Sequence, residues 1–266
     1  MQVGEQCTPG SARSGESVYA PARHVEDLGD CYFYQSIVLP GLGLQEGEWD
    51  LRDSADAYLG QVPLAGKRVL EIGSANGFLC LHMESQGAEV VAFDLSEEQS
   101  WDLVPCFKSE LDYEEALAGR RRHVRKLNNA WWLAHRLFRS KAKMVYGTAY
   151  EIPDAIGMVD VVTLGSVLIH LRDPLRALTR AARFAREALI ITEASHVAAW
   201  LDDAPIAQFL PSSVLDTPTD TWWRLSPKVI SEFVRILGFS EVTVAYHLQA
   251  GRVGSQVMYT LVAHRG

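Results

Sequence analysis

Cysteine is scarce in this chain, and Cys7, Cys31, Cys80 and Cys106 include no C-x-x-C pair. Their scatter argues against a disulfide framework and against the usual zinc spacings. It predicts reduced thiols in a cytoplasmic protein and no metal site. No uninterrupted apolar run is long enough to span a bilayer, so no membrane partner is expected. The opening MQVGEQCTPGSARSGESVYAPAR lacks the basic-then-apolar order of a signal peptide. Positive charge is also short: the formal net charge is −8, which disfavours general binding to nucleic acid or anionic membranes. What remains is ordinary globular composition, with 48% hydrophobic and 22% charged side chains over 266 residues. That is enough for one large domain with a full core.

Residues 1 to about 20 are rich in Gly, Ser and Pro without an apolar period, and read as a flexible tail. A single domain is expected over residues 21–266, with an N-terminal lid segment at 21–60 and the core at 61–266. Short apolar strand runs then alternate with amphipathic helices. "RVLEIG", "EVVAFDLS", "KMVYGTA", "VDVVTLGS" and "ALIITEA" read as strands, with "FLCLHMESQG" a helix closed by Gly87. In "DPLRALTRAARFARE" Asp173 is the N-cap, Pro174 opens the helix, and Leu175, Leu178 and Ala182 share its apolar face. "SPKVISEFVRILGF" repeats this logic between Ser226 and Gly238. The runs "EVTVAYHL" and "SQVMYTLVAH" are joined by a loop too short for a crossover helix, so they pair antiparallel. The alternation predicts an α/β fold, a mostly parallel sheet with helices on both faces, ending in an antiparallel hairpin.

Within "VLEIGSANGFL", Gly73 and Gly77 sit between the first core strand and its helix, at the carboxyl ends of the strands where such sheets bind ligands. The turn lacks the G-x-G-x-x-G spacing of a dinucleotide site. Asp94 ends the next strand, 21 residues after Gly73, where a carboxylate can accept both hydroxyls of a ribose. Glycine turn and distal acid together read as a nucleoside site without a pyrophosphate. The alternative is a packing turn followed by a surface aspartate.

"VLEIGSANGF" resembles the E/D-x-G-x-x-x-G motif of class I S-adenosylmethionine-dependent methyltransferases, and "VVAFDLS" their second motif. "VDVVTLGSVLIHLRDPLRAL" resembles their fourth strand and following turn, and the closing hairpin fits their Rossmann-like, seven-stranded sheet. From about Tyr32 onward the chain is most similar to bacterial methyltransferases related to the tRNA wobble-uridine carboxymethyltransferases, in "FYQSIVLPG", "WDLVP", "LAHRLFRSKAKMVYG", "VLIHLRDP" and "WWRLSP". It departs from the carboxymethyl-transferring members at Ile169, where they carry a tyrosine, and at Asp220, where they carry an arginine. Those groups hold the extra carboxylate of carboxy-S-adenosylmethionine, so plain methyl transfer is expected here. The resemblance implies S-adenosylmethionine as cofactor. It implies that Glu71 and Gly73 meet the methionine end, Asp94 the ribose, Leu95, Thr148 and Ala149 the adenine, that Ser166 lies near the sulfonium, and that Ser74 and Gly77 also belong to the cofactor site.

Methyl transfer to a hydroxyl or protonated amine is helped by a general base. His170 follows the fourth strand and is the first candidate, a histidine that only steadies the turn being the alternative. His196 is the second candidate and a substrate-binding residue. Tyr34, from the aromatic stretch before the sheet, and Trp222 and Trp223 are expected to form a substrate lid over the strand ends. His82 and His135 lie within helices and read as packing or surface residues. The stretch Arg120 to Lys143 holds nine Lys or Arg and no acid. It reads as a solvated helix with Trp131 and Phe138 facing the core, or as a phosphate-binding face with Trp131 and Trp132 stacking on bases. The expected function is methyl transfer to oxygen or nitrogen of a small-molecule acceptor, a secondary metabolite of natural product biosynthesis. A nucleic-acid partner is disfavoured and a homodimer is left open. The other readings are a tRNA-base methyltransferase using the basic helix and a cofactor-binding regulatory protein without catalysis.

Overall fold

The computed structural model of the protein describes residues 17–107, 109–195, 201–212 and 220–266. Three short strands come first, β1 (Ile37–Leu39), β2 (Gly43–Gln45) and β3 (Trp49–Asp50), followed by the single-turn helix α1 (Ala55–Tyr58). Strand and helix then alternate as the sequence predicts: β4 (Arg68–Ile72), α2 (Phe78–Ser85), β5 (Glu89–Asp94), α3 (Glu110–Phe138), β6 (Lys143–Tyr146), β7 (Val159–Gly165), α4 (Pro174–Ala182) and β8 (Ala185–Ala194). A small ribbon of β9 (Ala207–Phe209) and β10 (Trp223–Leu225) precedes α5 (Pro227–Ile236). The chain closes with the hairpin β11 (Phe239–Gly251) and β12 (Gly254–Arg265).

The main sheet has the order β3-β11-β12-β8-β7-β4-β5-β6. β6, β5, β4, β7 and β8 run parallel, while β12 is antiparallel to both β8 and β11. The seven expected strands are therefore present, and β3 adds a two-residue eighth at the edge beside Ala250 and Gly251. Consecutive strands leave β4 in opposite directions, β5 to one side and β7 to the other. This reversal opens a crevice at the strand ends. Alternation along each strand feeds two cores. Leu70, Ile72, Val91 and Leu164 pack with Leu178 of α4 and Ile230 and Val234 of α5. Val69, Val90, Ala92 and Val161 pack with Met83 of α2 and Trp131 and Leu133 of α3.

The helix boundaries follow capping chemistry. The Asp173 carboxylate accepts Arg176 N–H and Ser226 Oγ accepts Val229 N–H, each with proline at the first helical positions. α4 is shorter than its sequence suggests, because residues 185–187 belong to β8. Ala185 pairs with Val159, and the Arg265 guanidinium holds the carbonyls of Ala182 and Ala185 at 2.8 and 2.9 Å. Pairing of the buried strand outweighs helix propensity there. Leu175 is 38% exposed, since the buried stripe runs through Pro174, Ala177, Leu178, Ala181 and Ala182, about 100° away around the helix. α3 begins ten residues before the basic stretch, with Ser109 accepting Asp112 N–H. Trp131 is buried as expected, but Phe138 is 42% exposed, because the helix stops at left-handed Arg139 and turns back into β6 before its ring is covered. Residues 17–20, placed in the tail by sequence, lie against β6, where Ala20 N–H donates to Met144 O. None of the described helices is long and apolar enough to cross a membrane.

Because Trp131 is a buried anchor of α3, Trp131→Ala should lower unfolding stability by about 3–5 kcal/mol. Phe138→Ala should stay within about 0.5 kcal/mol. Denaturant unfolding of both variants checks the contrast.

Candidate functional site

Beyond β4 the backbone enters the left-handed region at every second residue, with φ +82° at Gly73, +48° at Ala75 and +84° at Gly77. Gly73 N–H donates to Phe93 O at 2.8 Å, which fastens the turn to β5. A Cβ on Gly73 would lie 2.5 Å from Val167 Cγ2. Gly77 has another task than the sequence suggested: its absent Cβ would stand 2.7 Å from Trp131 Cδ1, so this glycine admits the α3 tryptophan rather than a ligand. Asn76, fully buried, accepts Tyr34 and Gln35 N–H through Oδ1 at 3.1 and 2.7 Å and donates to Gln35 O at 3.0 Å. The amide thereby fixes the N-terminal segment over the turn.

Asp94 closes β5 with both carboxylate oxygens engaged. Oδ2 accepts Ala75 N–H and Oδ1 accepts Leu95 N–H, each at 2.7 Å. Burial raises its pKa to about 6, against the pull of those two N–H groups. Glu71 is buried on β4, and its Oε2 meets no hydrogen-bond partner among the described residues. Burial, reinforced by the Asp94 charge, pushes Glu71 up to about 8.

A cavity of about 350 Å³ lies at these strand ends. Gly73, Ala75, Asp94, Leu95, Thr148 and Ala149 line the side built by the ends of β4, β5 and β6. Tyr34, Glu48, Trp101, Asp102, Arg120, His123, Tyr150, Ser166, His170 and Asp220 line the rest. Ser166 has φ +54°, and its hydroxyl lies 3.1 Å from that of Tyr58 on α1. The next residues form a tight turn held from below by Glu193 of β8, whose Oε1 accepts Leu168 N–H at 2.8 Å. Burial raises Glu193 to about 8, although the N–H groups of Leu168, Ile169 and Val167 favour its anion.

His170 ends this turn, with Nδ1 2.5 Å from Asp220 O. A carbonyl can only accept, so Nδ1 carries the hydrogen and Nε2 keeps its lone pair. Burial lowers the His170 pKa, partly opposed by the Asp220 carbonyl, so the ring is neutral at neutral pH. The Asp220 carboxylate pairs with Arg120 at 2.9 Å. The Arg120 guanidinium lies 5.3 Å from the centre of Trp101, which neighbours the His123 ring at 5.5 Å.

Tyr34, Gly73, Asp94, Leu95, Thr148, Ala149, Ser166 and His170 thus share one cavity, as the sequence reading placed them. Glu71, Ser74 and Gly77 are not among its lining residues. Trp222 and Trp223 do not form a lid. Their indole N–H groups donate to Asp102 O and Arg172 O, and Trp222 N–H donates to Ile169 O, so they brace the His170 turn from outside. Ile169 is absent from the lining, and Asp220 meets a compensating cation that was not anticipated. His196 lies outside the described residues. Sequence reasoning placed none of Trp101, Asp102, Arg120, His123 and Glu48 in the site; Trp101 and Asp102 were noted only within the resemblance "WDLVP", and Arg120 and His123 only within the basic stretch Arg120 to Lys143. The Arg120 and His123 contribution becomes visible once α3 is known to start at Glu110.

A family model described as "Methyltransferase domain" matches residues 50–227. Among solved structures, the magnesium protoporphyrin IX methyltransferase ChlM of Synechocystis PCC 6803 with bound SAH is similar, at 18% identity and TM-score 0.54, over 80% of this chain and 81% of that one. The N-terminal domain of EvdMO1 with SAH bound matches at 17% identity and TM-score 0.52, over 88% and 92%. At these identities the likeness is one of fold. Among curated proteins no sequence matches.

The raised carboxyls have a consequence for stability. Between the ordinary value of 4.5 and about 8, folded Glu71 and Glu193 hold protons that the unfolded chain has released. Stability from these groups is therefore full below pH 4.5 and is lost as pH rises through about 8. Glu71→Gln should flatten part of that decline and raise the melting temperature at pH 8–9 more than at pH 5–6, a comparison that thermal melts across roughly that range read directly.

Proposed function

The chain belongs to the methyltransferase-domain family, and we propose that it transfers a methyl group from S-adenosylmethionine to an oxygen or nitrogen of a small-molecule acceptor. The observation that carries the reading is the Asp94 carboxylate, fixed at the cavity beside the bare backbone of the glycine turn. Each of its oxygens uses one lone pair on a backbone N–H and keeps another, so two ribose hydroxyls can still donate. Leu95, Thr148 and Ala149 stand where an adenine would lie against the ends of β5 and β6. Glu71, whose Oε2 has no partner among the described residues, holds its proton up to about pH 8; a cationic methionine end bound beside it would favour its anion. When bound, S-adenosylmethionine supplies an electrophilic methyl group on a positively charged sulfur.

The protein's own work is then positioning, exclusion of water and removal of one proton. Ser166 and the β7 turn border the place of transfer, and Tyr34 covers it from the N-terminal segment. His170 Nε2 accepts the acceptor's proton, since its neutral ring and Nδ1–H tautomer suit a base. Plain methyl transfer agrees with the lack of a tyrosine at Ile169 and of an arginine at Asp220. Placement in the cytoplasm and a part in natural product biosynthesis belong to the same reading.

The tRNA reading is less well supported. Arg120 is paired with Asp220, Arg125 lies near Glu97, and Lys126 and Arg136 donate to the carbonyls of Gly29 and Val25. Trp131 and Trp132 are buried and have no ring face to offer a base. The nearer likeness to tRNA wobble-uridine carboxymethyltransferases rests on sequence motifs alone.

Calorimetric titration with S-adenosylmethionine should show Asp94→Ala binding more weakly by about 1.5–3 kcal/mol, as for hydrogen bonds to a charged group. An unchanged affinity would remove the assignment. His170→Ala should reduce turnover about 10²–10⁴-fold while cofactor affinity stays near wild type. A fall in melting temperature with normal turnover per folded molecule would make the histidine structural. In competition titrations, carboxy-S-adenosylmethionine should bind less well than the unsubstituted cofactor.

A further inference from the structure

We propose that Arg120 is a positioning residue for His170, acting through Asp220, whose carbonyl oxygen and carboxylate join the imidazole to α3. The proposal rests on the reading of His170 as the base. Asp220 is engaged at both ends: its main-chain oxygen is 2.5 Å from His170 Nδ1, and its Oδ2 is 2.9 Å from Arg120 Nη2. His170 and Asp220 are 50 residues apart in sequence, so nothing local forces them together. Arg120 brings the rigidity of a long helix. Farther along, the same helix buries Trp131 in the core, and Lys126 O accepts Tyr32 N–H. Trp101 steadies the guanidinium from a second side, at 5.3 Å.

The chemical consequence concerns the tautomer. A neutral imidazole carries its hydrogen on either nitrogen, and the hydrogen bond made by one nitrogen decides which. With a carbonyl beside Nδ1, the hydrogen sits there and Nε2 is left able to take a proton. Were the Asp220 backbone to drift, the Nε2–H tautomer would become available, and that form has no lone pair on Nε2. The Arg120–Asp220 pair opposes this drift. Its side chains are 29% and 26% exposed, so breaking it costs some folding stability; the effect on the histidine is read on folded protein.

Nitrogen-15 NMR of the full chain, labelled at histidine, tests this, with the His170 signals assigned by their loss in His170→Gln. In the wild type Nδ1 should be the protonated nitrogen. In Arg120→Gln and in Asp220→Asn the Nε2–H form should appear, and Arg120→Lys should restore the wild-type pattern. Turnover in Arg120→Gln should drop roughly 10- to 10²-fold with cofactor affinity unchanged, the scale of a misplaced reacting group. An unaltered His170 tautomer in folded Arg120→Gln or folded Asp220→Asn would overturn the proposal. If His170→Gln instead keeps full turnover, the reading of His170 as base fails, and the tautomer shift still reports separately whether Arg120 acts on the ring through Asp220.

Discussion

The glycine turn beyond β4 depends on the carboxylate of Asp94, which accepts the N–H of its own successor and the N–H of Ala75 across the turn. Ala75 is an L-residue in the left-handed region, a conformation costing about 1–2 kcal/mol. Hydrogen bonds to an ionised acceptor contribute about as much, so the carboxylate offsets the strain. With Ala75 held, left-handed glycines on either side let the chain leave β4 and enter α2 within five residues. Asn76 is turned inward by the same geometry and fixes residues 34–35 above the turn. The covering segment is thus a consequence of how the turn is closed.

Three carboxyl groups stand out, buried Glu71 and Glu193 and the partly buried Asp94, and they differ in compensation. Asp94 and Glu193 both accept backbone N–H groups; Glu71 has an oxygen with no donor among the described residues. A buried acceptor left unsatisfied normally costs about 1–3 kcal/mol, a cost that a purely structural position would shed by carrying an apolar residue. Glu193 has a mechanical part, since it gathers the N–H groups of the turn that leads from Ser166 to His170. Glu71 shows none: among the described residues its Oε2 is left without a donor.

The strands, the caps and the cofactor side of the cavity were legible because each is encoded locally. β4, β5 and β7 are continuous apolar runs, and the residues at their carboxyl ends, Gly73, Asp94 and Ser166, inherit their places from strand register alone. The opposite side of the cavity was far less legible. Trp101 comes from the segment after β5, Arg120 and His123 from a helix whose first turns carry no apolar stripe, and Asp220 from the approach to β10. No periodicity links these positions; only the folded sheet does. Gly77 and Trp222 misled for a related reason: sequence shows that a residue is small or aromatic, but not which neighbour it serves. Both serve packing, one by admitting Trp131 and the other by bracing Ile169.

The turn from Ser166 to His170 is held from three directions. Glu193 accepts its N–H groups from β8, Trp222 N–H donates to Ile169 O from the residue before β10, and Asp220 O fixes the imidazole at its end. Tyr58 adds a fourth contact at Ser166, from α1. These partners come from three separate stretches of chain, yet all converge on five residues. A loop on a sheet edge ordinarily has the freedom to sample several conformations, and misplacing a reacting group by 1 Å costs about 10²-fold in rate. Convergent anchoring therefore suits a reaction in which the protein supplies little chemistry of its own. In the proposed transfer a sulfonium and an acceptor are held in line, and the rigidity of this turn is the property the proposal draws on.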